Sequence, residues 1–299
     1  MDRRKFVQTT GMSLAMMALF QNKGVAAFLD DEKYKFKILR NDIGIFTEQG
    51  GTIAWMSNPE GVVVVDSQFP EPAGHLIAEL KKRSTKPFKL LINTHHHGDH
   101  TSGNIAFKGL AEHVVAHENS LANQKRVAQA QNKEETQLYP DLTFKDKWEK
   151  NIGNENIKAQ YFGAAHTNGD SIIHFQNANI AHMGDLVFNR RFPFIDKSAG
   201  ASISNWSVVL EEACKYYDND TLFIFGHAAE PENVTGNKAD LKAMQNYLDK
   251  LLLYVNTEIK AGKSKEEILK AEMIPGADDF KGQGIERSLT AAYEELTAQ

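Results

Sequence analysis

The sequence contains a single cysteine, Cys214, among 299 residues. One thiol excludes an intrachain disulfide framework and any zinc site built from several cysteines. Positive charge is also scarce, because 34 Lys and Arg stand against 39 Asp and Glu and the formal net charge is −5 at pH 7. A protein that binds nucleic-acid phosphates usually has a clear basic excess. We therefore expect a small-molecule substrate and no nucleic-acid partner.

Internal repeats, low-complexity tracts and Pro- or Ser-rich linkers are absent from the sequence. Hydrophobic residues make up 41% and charged residues 24%, which is ordinary for a globular protein. The length is sufficient to bury a sizeable core. We expect one folded domain at residues 28–235, followed by a helical extension at residues 236–299 that packs on it.

The N-terminal residues resemble an export signal. Arg3 and Arg4 precede a mildly apolar stretch at residues 11–20 and a small-residue site at residues 25–27. This arrangement predicts a signal peptide over residues 1–27, of the twin-arginine type, and a periplasmic product. The apolar stretch is too short to span a bilayer, which needs about 20 residues, so we expect no stable membrane insertion. An ordinary secretory signal or a basic amphipathic start is the alternative.

Strand and helix patterns alternate along the middle of the chain, which indicates an α/β sandwich. Residues 62–65 are four valines that stop at Asp66, as a buried central strand does. A helical pattern begins near Pro72, and another runs from Leu241 to Gly262. Further strands are predicted at residues 35–46, 53–56, 88–92, 114–116, 172–175 and 222–225.

The chemistry of the sequence is concentrated in histidines and aspartates. The segment His95-x-His97-x-Asp99-His100 follows an apolar strand directly. In an extended loop, residues i and i+2 point the same way, so His95 and His97 can bind one ion while Asp99 and His100 face a second. Imidazole and carboxylate are ordinary zinc ligands. A solvated histidine-rich loop is the simpler alternative on this segment alone.

Three further candidates weaken that alternative. His166 lies in a turn-rich segment before a strand, Asp185 follows Gly184, and His227 follows Gly226 at the end of a strand. Strand ends at one edge of a sheet can converge in space. His96 alternates away from its neighbours and is interpreted as a non-ligand, and His182 as structural.

The series His-x-His-x-Asp-His, Ala-His-Thr, Gly-Asp and Gly-His resembles the metallo-β-lactamase superfamily in its binuclear zinc form. The resemblance implies a four-layer αβ/βα sandwich with two Zn²⁺ ions at one edge of the sheets, iron or manganese being possible replacements. It also implies Asp66 as a support for the metal loop from outside the ligand set. The implied roles are a first ion on His95, His97 and His166, a second on Asp99, His100 and His227, a bridge at Asp185, and a catalytic role for Asp99.

Two zinc ions would lower the pKa of a shared water towards neutrality, and the resulting hydroxide would attack an acyl, phosphoryl or sulfuryl centre. No nucleophilic side chain is needed, so Cys214 is not expected to be catalytic. The β-lactamases of this superfamily generally lack the bridging aspartate. Asp185 therefore favours the glyoxalase II and lactonase-like branches, which cleave esters, thioesters or lactones, with β-lactam hydrolysis as the alternative.

Two readings from other classes stay open. A mononuclear iron sulfur dioxygenase would use His95, His166 and Asp185 as two histidines and one carboxylate. A zinc carrier would bind metal without turnover. Three basic residues, Arg190, Arg191 and Lys197, are either contacts for a substrate carboxylate or a solvated cluster.

Overall fold

The computed structural model describes residues 34–298, so the predicted signal segment at residues 1–27 lies outside the described residues. The strands are β1 Lys35–Arg40, β2 Ile43–Thr47, β3 Ile53–Asn58, β4 Gly61–Val65, β5 Phe88–Ile92, β6 Ala111–His117, β7 Leu142–Phe144, β8 Lys147–Ile152, β9 Glu155–Tyr161, β10 Ser171–Phe175, β11 Ile180–His182, β12 Phe188–Asn189, β13 Leu222–Ile224, β14 His227–Ala228 and β15 Thr235–Gly236. The α-helices are α1 Pro70–Arg83, α2 Gly98–Thr101, α3 Glu118–Gln131, α4 Ile203–Tyr216, α5 Lys238–Lys260, α6 Lys265–Ile268 and α7 Ile285–Thr297.

Two mixed sheets form the centre of the fold. The first has seven strands in the order β1-β2-β3-β4-β5-β6-β7. Its strands β2 to β4 are antiparallel neighbours, whereas β4 to β7 run parallel. The second has six strands in the order β15-β13-β11-β10-β9-β8, with β11 and β13 parallel. A short third sheet pairs β12 with β14.

The two large sheets pack face to face. One apolar cluster joins Val63 and Ile92 of the first sheet to Ile173 and Ile224 of the second. Because side chains alternate along a strand, Val64 points to the opposite face, where it is also fully buried. Helix α1 follows β4 and leads into the parallel strand β5, as the covering helix of a crossover does.

The outer face of the second sheet is covered by the C-terminal helices. A second apolar cluster joins Phe223 of β13 to Trp206 of α4, Leu248 of α5 and Leu289 of α7. The architecture is therefore an α/β four-layer αβ/βα sandwich, as the family resemblance implied. Within residues 34–298, no helix combines the length and apolar character needed to cross a membrane.

The predicted elements differ from the structure mainly at their ends. The strand predicted over residues 35–46 is two strands, because Asn41 adopts positive φ and turns the chain between β1 and β2. The long C-terminal helix begins at Lys238 rather than Leu241, since Asn237 and Asp240 form a capping box there. Its end near Gly262 and the cap at Ser264 were predicted correctly.

Candidate metal centre

The first predicted ligand group is assembled by two loops. His95 and His97 follow β5 in the first sheet, and His166 precedes β10 in the second. Their ring nitrogens converge, with His95 Nε2 3.2 Å and His166 Nε2 2.9 Å from His97 Nδ1. Together with a carboxylate oxygen of Asp185, these atoms all lie within 4.8 Å of one another. The spacing is suitable for a single ion held by three imidazoles and one carboxylate.

The second predicted group lies beside the first. His227 Nε2 is 3.0 Å from Asp99 Oδ2 and 3.5 Å from His100 Nε2. Asp99 and His100 belong to the short helix α2, whereas His227 begins β14 after the end of β13. This group is therefore formed by the segment that follows β5 of the first sheet and the segment that follows β13 of the second sheet.

Asp185 lies between the two groups. Its Oδ2 is 3.5 Å from His166 Nε2 and also 3.5 Å from His227 Nε2, and its Oδ1 is 3.1 Å from His100 Nε2. The side chain is only 4% exposed and sits on the tight turn that follows β11. One carboxylate is thus placed to contact ions held by either group.

Four of the imidazoles are held by partners on their outer nitrogens. The contacts are Asp66 to His100 Nδ1 at 2.7 Å, Thr94 Oγ1 to His95 Nδ1 at 3.0 Å, the Phe194 carbonyl to His166 Nδ1 at 2.7 Å, and Asp196 to His97 Nε2 at 3.0 Å. A histidine that donates from its outer nitrogen presents an unprotonated inner nitrogen, as metal-binding histidines do. The inner nitrogens of His95, His97 and His166 then face one another as lone pairs, which no hydrogen bond between them can satisfy.

Asp66 itself is held firmly. Its carboxylate accepts hydrogen bonds from the backbone N–H and the hydroxyl of Thr94, both at 2.8 Å, and its backbone has positive φ. Strain of this kind persists only where the surroundings determine it, and it is common at functional sites. Asp66 therefore links the end of β4 to the loop that contains the first histidines.

The charge balance of the cluster fits a cation. Burial opposes ionisation of Asp185, but the adjacent His227 and His100 outweigh it and hold the pKa of that carboxyl well below its usual range. Burial likewise disfavours a charged His227, yet Asp185 and Asp99 raise its pKa to about 9. Asp185 Oδ1 is buried, with His100 Nε2 at 3.1 Å. The carboxylates require positive charge nearby, which protons or a divalent metal ion would supply.

Other histidines around the site have structural surroundings. His182 donates from Nε2 to the Thr52 carbonyl at 2.8 Å and accepts at Nδ1 from the Gly184 N–H at 3.0 Å, so it shapes the turn that carries Asp185. His96 belongs to neither predicted group, and its Nε2 lies 3.6 Å from Asp196. The contacts of His182 agree with a structural role, whereas His96, His97 and Asp196 form a third group close enough to hold an ion, so the non-ligand interpretation of His96 stays a prediction.

Two glycines allow the close approach of the ligand segments. A Cβ at Gly226 would lie 2.0 Å from Asp185 Oδ1, and one at Gly51 would lie 2.1 Å from the His100 ring. Real Cβ atoms do not approach other atoms so closely. Both positions therefore need glycine for the ligands to keep their places.

The basic residues after Asp185 are largely paired within the protein. Arg190 forms ion pairs with Asp279 and Asp240, and Lys197 contacts Glu295 at 2.8 Å. Arg191 is exposed. Cys214 lies half-buried in α4, where burial raises the pKa of its thiol and disfavours the nucleophilic thiolate.

Sequence reasoning missed Asp196 and Phe194. Neither belongs to a motif, and each reaches the histidines only because the chain returns after β12. The predicted residues that the structure brings together are His95, His97, Asp99, His100, His166, Asp185 and His227. Whether they bind metal stays a prediction.

Comparisons with known proteins agree with this architecture. A model of the metallo-β-lactamase superfamily matches residues 47–227. The metallo-β-lactamase IND-1 of Chryseobacterium indologenes is 24% identical over 190 residues, covering 62% of this chain and 75% of that protein. A metallo-β-lactamase structure from Pontibacter korlensis has a TM-score of 0.61 at 20% identity, covering 72% of this chain and 99% of the other. A double mutant of the sec-alkyl sulfatase PisA1 has a TM-score of 0.71 at 12% identity, covering 92% of this chain and 55% of the other.

Proposed function

The chain belongs to the metallo-β-lactamase superfamily, and from this premise we propose that it is a two-metal hydrolase of esters, thioesters or lactones. The observation that carries the proposal is the position of Asp185, whose carboxylate lies within 3.5 Å of histidine nitrogens from both groups. A single carboxylate between two imidazole sets is suited to two neighbouring ions.

In this proposal the first ion is held by His95, His97 and His166, and the second by Asp99, His100 and His227. Zinc is the metal we propose, since nitrogen and oxygen donors without thiolate are ordinary ligands of Zn²⁺. When bound, such ions supply a nucleophile from water near neutral pH and polarise the bond to be cleaved.

The protein's own residues fix the orientation of the proposed histidine ligands. Asp66, Thr94 and Asp196 hold the imidazoles in fixed orientations through their outer nitrogens. Fixed donors need no rearrangement during the reaction, which is the main way in which a polar site lowers a barrier. The catalytic role proposed for Asp99 is to contact the water or substrate that enters from solvent, because its side chain is 32% exposed whereas that of Asp185 is 4% exposed. Burial opposes ionisation of Asp99, but His100 and His227 outweigh it and lower its pKa to about 2, so the carboxylate is charged.

Hydrolysis of a β-lactam is the second candidate, favoured by the two relatives that are named metallo-β-lactamases. Both candidates use the same ligands, so the difference lies in the substrate. The bridging position of Asp185 supports the ester, thioester and lactone class.

The test is a substrate panel on the purified full chain after its metal content has been measured by mass spectrometry. We expect two metal equivalents per chain, and turnover of a thioester, an ester or a lactone that exceeds β-lactam and sulfate-ester turnover. Turnover should disappear with a chelator and return with Zn²⁺. One iron and no zinc per chain would favour the dioxygenase, whereas bound zinc without any turnover would favour a carrier.

We also propose export to the periplasm through residues 1–27, on the basis of the Arg3-Arg4 pair and the apolar stretch that follows. Cell fractionation and the N-terminal mass of the exported protein would test this. Replacing both arginines by lysine should retain the protein in the cytoplasm if the twin-arginine route is used. Unchanged export would point to an ordinary secretory signal.

A further inference from the structure

The segment Phe192–Asp196, here called the rim segment, is anchored on two sides. The Phe194 carbonyl accepts a hydrogen bond from His166 Nδ1 at 2.7 Å, and the Asp196 N–H donates to the His166 carbonyl at 3.2 Å. On the other side, Ser288 of α7 donates from its hydroxyl to the Pro193 carbonyl at 2.9 Å. The backbone of the rim segment is therefore held between the histidine cluster and the last helix.

The side chain of Phe194 remains in contact with solvent despite these anchors. It is 41% exposed, whereas Phe192 and Ile195 in the same segment are each 6% exposed. Its ring centroid lies 5.4 Å from that of His97 and 6.2 Å from that of His166. Exposed aromatic surface is unfavourable in water, so a ligand that covers this ring gains binding free energy.

An open groove is lined in part by Phe194 and by none of the predicted metal ligands. It has a volume of about 330 Å³ and is formed by Phe194, Ile195 and side chains of α7 that include Thr290 and Ala291. Small-molecule sites usually have about 300–1,000 Å³.

The charges around the groove are balanced. Two acidic residues, Glu286 and Glu294, stand against Lys197 and Arg287. Lys197 already contacts Glu295, and Glu294 contacts Lys265. The groove therefore has no excess of one charge, and Phe194, Ile195 and Ala291 supply its apolar lining.

We propose that Phe194 is a specificity-determining residue, whose ring contacts the apolar acyl group of an ester or thioester while the bond to be cleaved lies at the histidine cluster. The acyl chain would continue from Phe194 into the groove beside α7. This proposal rests on the proposed function and adds to it the part of the substrate that the protein recognises.

The test compares two esters with the same leaving group, p-nitrophenyl acetate and p-nitrophenyl octanoate, on metal-quantified full-length protein. The wild type should have the larger kcat/KM for the octanoate. Phe194→Ala should lower the octanoate-to-acetate ratio of kcat/KM at least about tenfold, which corresponds to the loss of a hydrophobic contact of one side chain. Phe194→Leu should keep the ratio within about threefold of the wild type, because leucine restores most of the apolar surface. Leu253→Ala, which alters a 56% exposed side chain of α5, is the matched control and should leave the ratio unchanged.

A uniform loss of activity on both esters, or a loss of bound metal in Phe194→Ala, would overturn the proposal. Either result would indicate that Phe194 shields the histidine cluster from water and does not recognise the acyl group. Calorimetry with octanoate and acetate separates this result from a failure of the proposed function. If neither ester is hydrolysed, octanoate binding that requires Phe194 still supports the contact. Equal octanoate binding by wild type and Phe194→Ala, or no binding by either, overturns it.

Discussion

The Asp196 carboxylate lies 3.0 Å from His97 Nε2, although the two residues are separated by 99 positions in the chain. Ser198 Oγ and the Ala199 N–H donate to its other oxygen at 2.6 and 3.1 Å, so the carboxylate itself has a fixed orientation. Because His97 donates from Nε2 to Asp196, its Nδ1 is left unprotonated and directed at His95 and His166. The histidine is thus presented to the predicted metal position by a residue outside every sequence motif.

Asp196→Ala should lower metal affinity about 10–100-fold, the usual effect of removing the outer partner of a metal-binding histidine. The measurement is competition with a chelating dye. Asp141→Ala is a matched control, since Asp141 accepts a similar bond from His113 at 2.7 Å at a half-exposed position away from the cluster. Equal metal affinity in the wild type and Asp196→Ala would show that His97 needs no such partner.

Gly226→Ala should reduce both metal binding and stability. The new methyl carbon would lie 2.0 Å from Asp185 Oδ1 and 2.9 Å from the Gly184 carbonyl, so the turn carrying Asp185 must shift. We expect about 1–3 kcal/mol of destabilisation, measured by urea unfolding, together with a loss of bound metal. Gly74→Ala in α1 adds a methyl group to open space and should be neutral or stabilising by about 0.5–1 kcal/mol. Wild-type metal content in Gly226→Ala would contradict the close approach.

Asp99→Ala and His166→Ala should each abolish hydrolysis in a protein that still folds. Loss of the outer partner of a metal-binding histidine usually costs about 10–100-fold in activity, and loss of a ligand itself should reduce kcat/KM further. Circular dichroism and the metal content of each variant accompany the kinetics. His174→Gln, a change outside both ligand groups, should retain activity. Full activity with metal still bound in either ligand variant would remove that residue from the site.

His174 should make the protein less stable in acid. Burial lowers the pKa of this imidazole from its usual 6.5 to about 4, where it packs edge-on against the Tyr217 ring at 5.0 Å. Since the unfolded chain binds the proton more tightly, the stability contributed by neutral His174 is present above pH 6.5 and lost as the pH falls through about 4.

The comparison is urea unfolding of the wild type and His174→Gln between pH 7 and pH 4. The wild type should lose free energy of unfolding relative to the variant, by on the order of 2 kcal/mol after allowance for partial exposure. Parallel curves for the two proteins would show that His174 does not titrate differently in the folded state.

Much of the fold could be predicted because its signals are local. The valine run at residues 62–65, the helix near Pro72 and the cap at Ser264 each depend on neighbours in sequence, and each lies where predicted. The turn at Asn41 was missed because apolar and polar residues alternate on both sides of it, although Asn41 and Asp42 are residue types that favour turns.

Local sequence was sufficient to name the seven imidazole and carboxylate groups and to place them at strand ends, since residue type and a break in an apolar run can be read from neighbours alone. Their meeting point, the orientation of each ring and the apolar rim beside them depended on the tertiary structure. Asp196 and Phe194 reach the cluster through hydrogen bonds to His97 and His166. Contacts between residues so distant in the chain arise from how two sheets and a returning loop pack, and no short-range pattern encodes that packing.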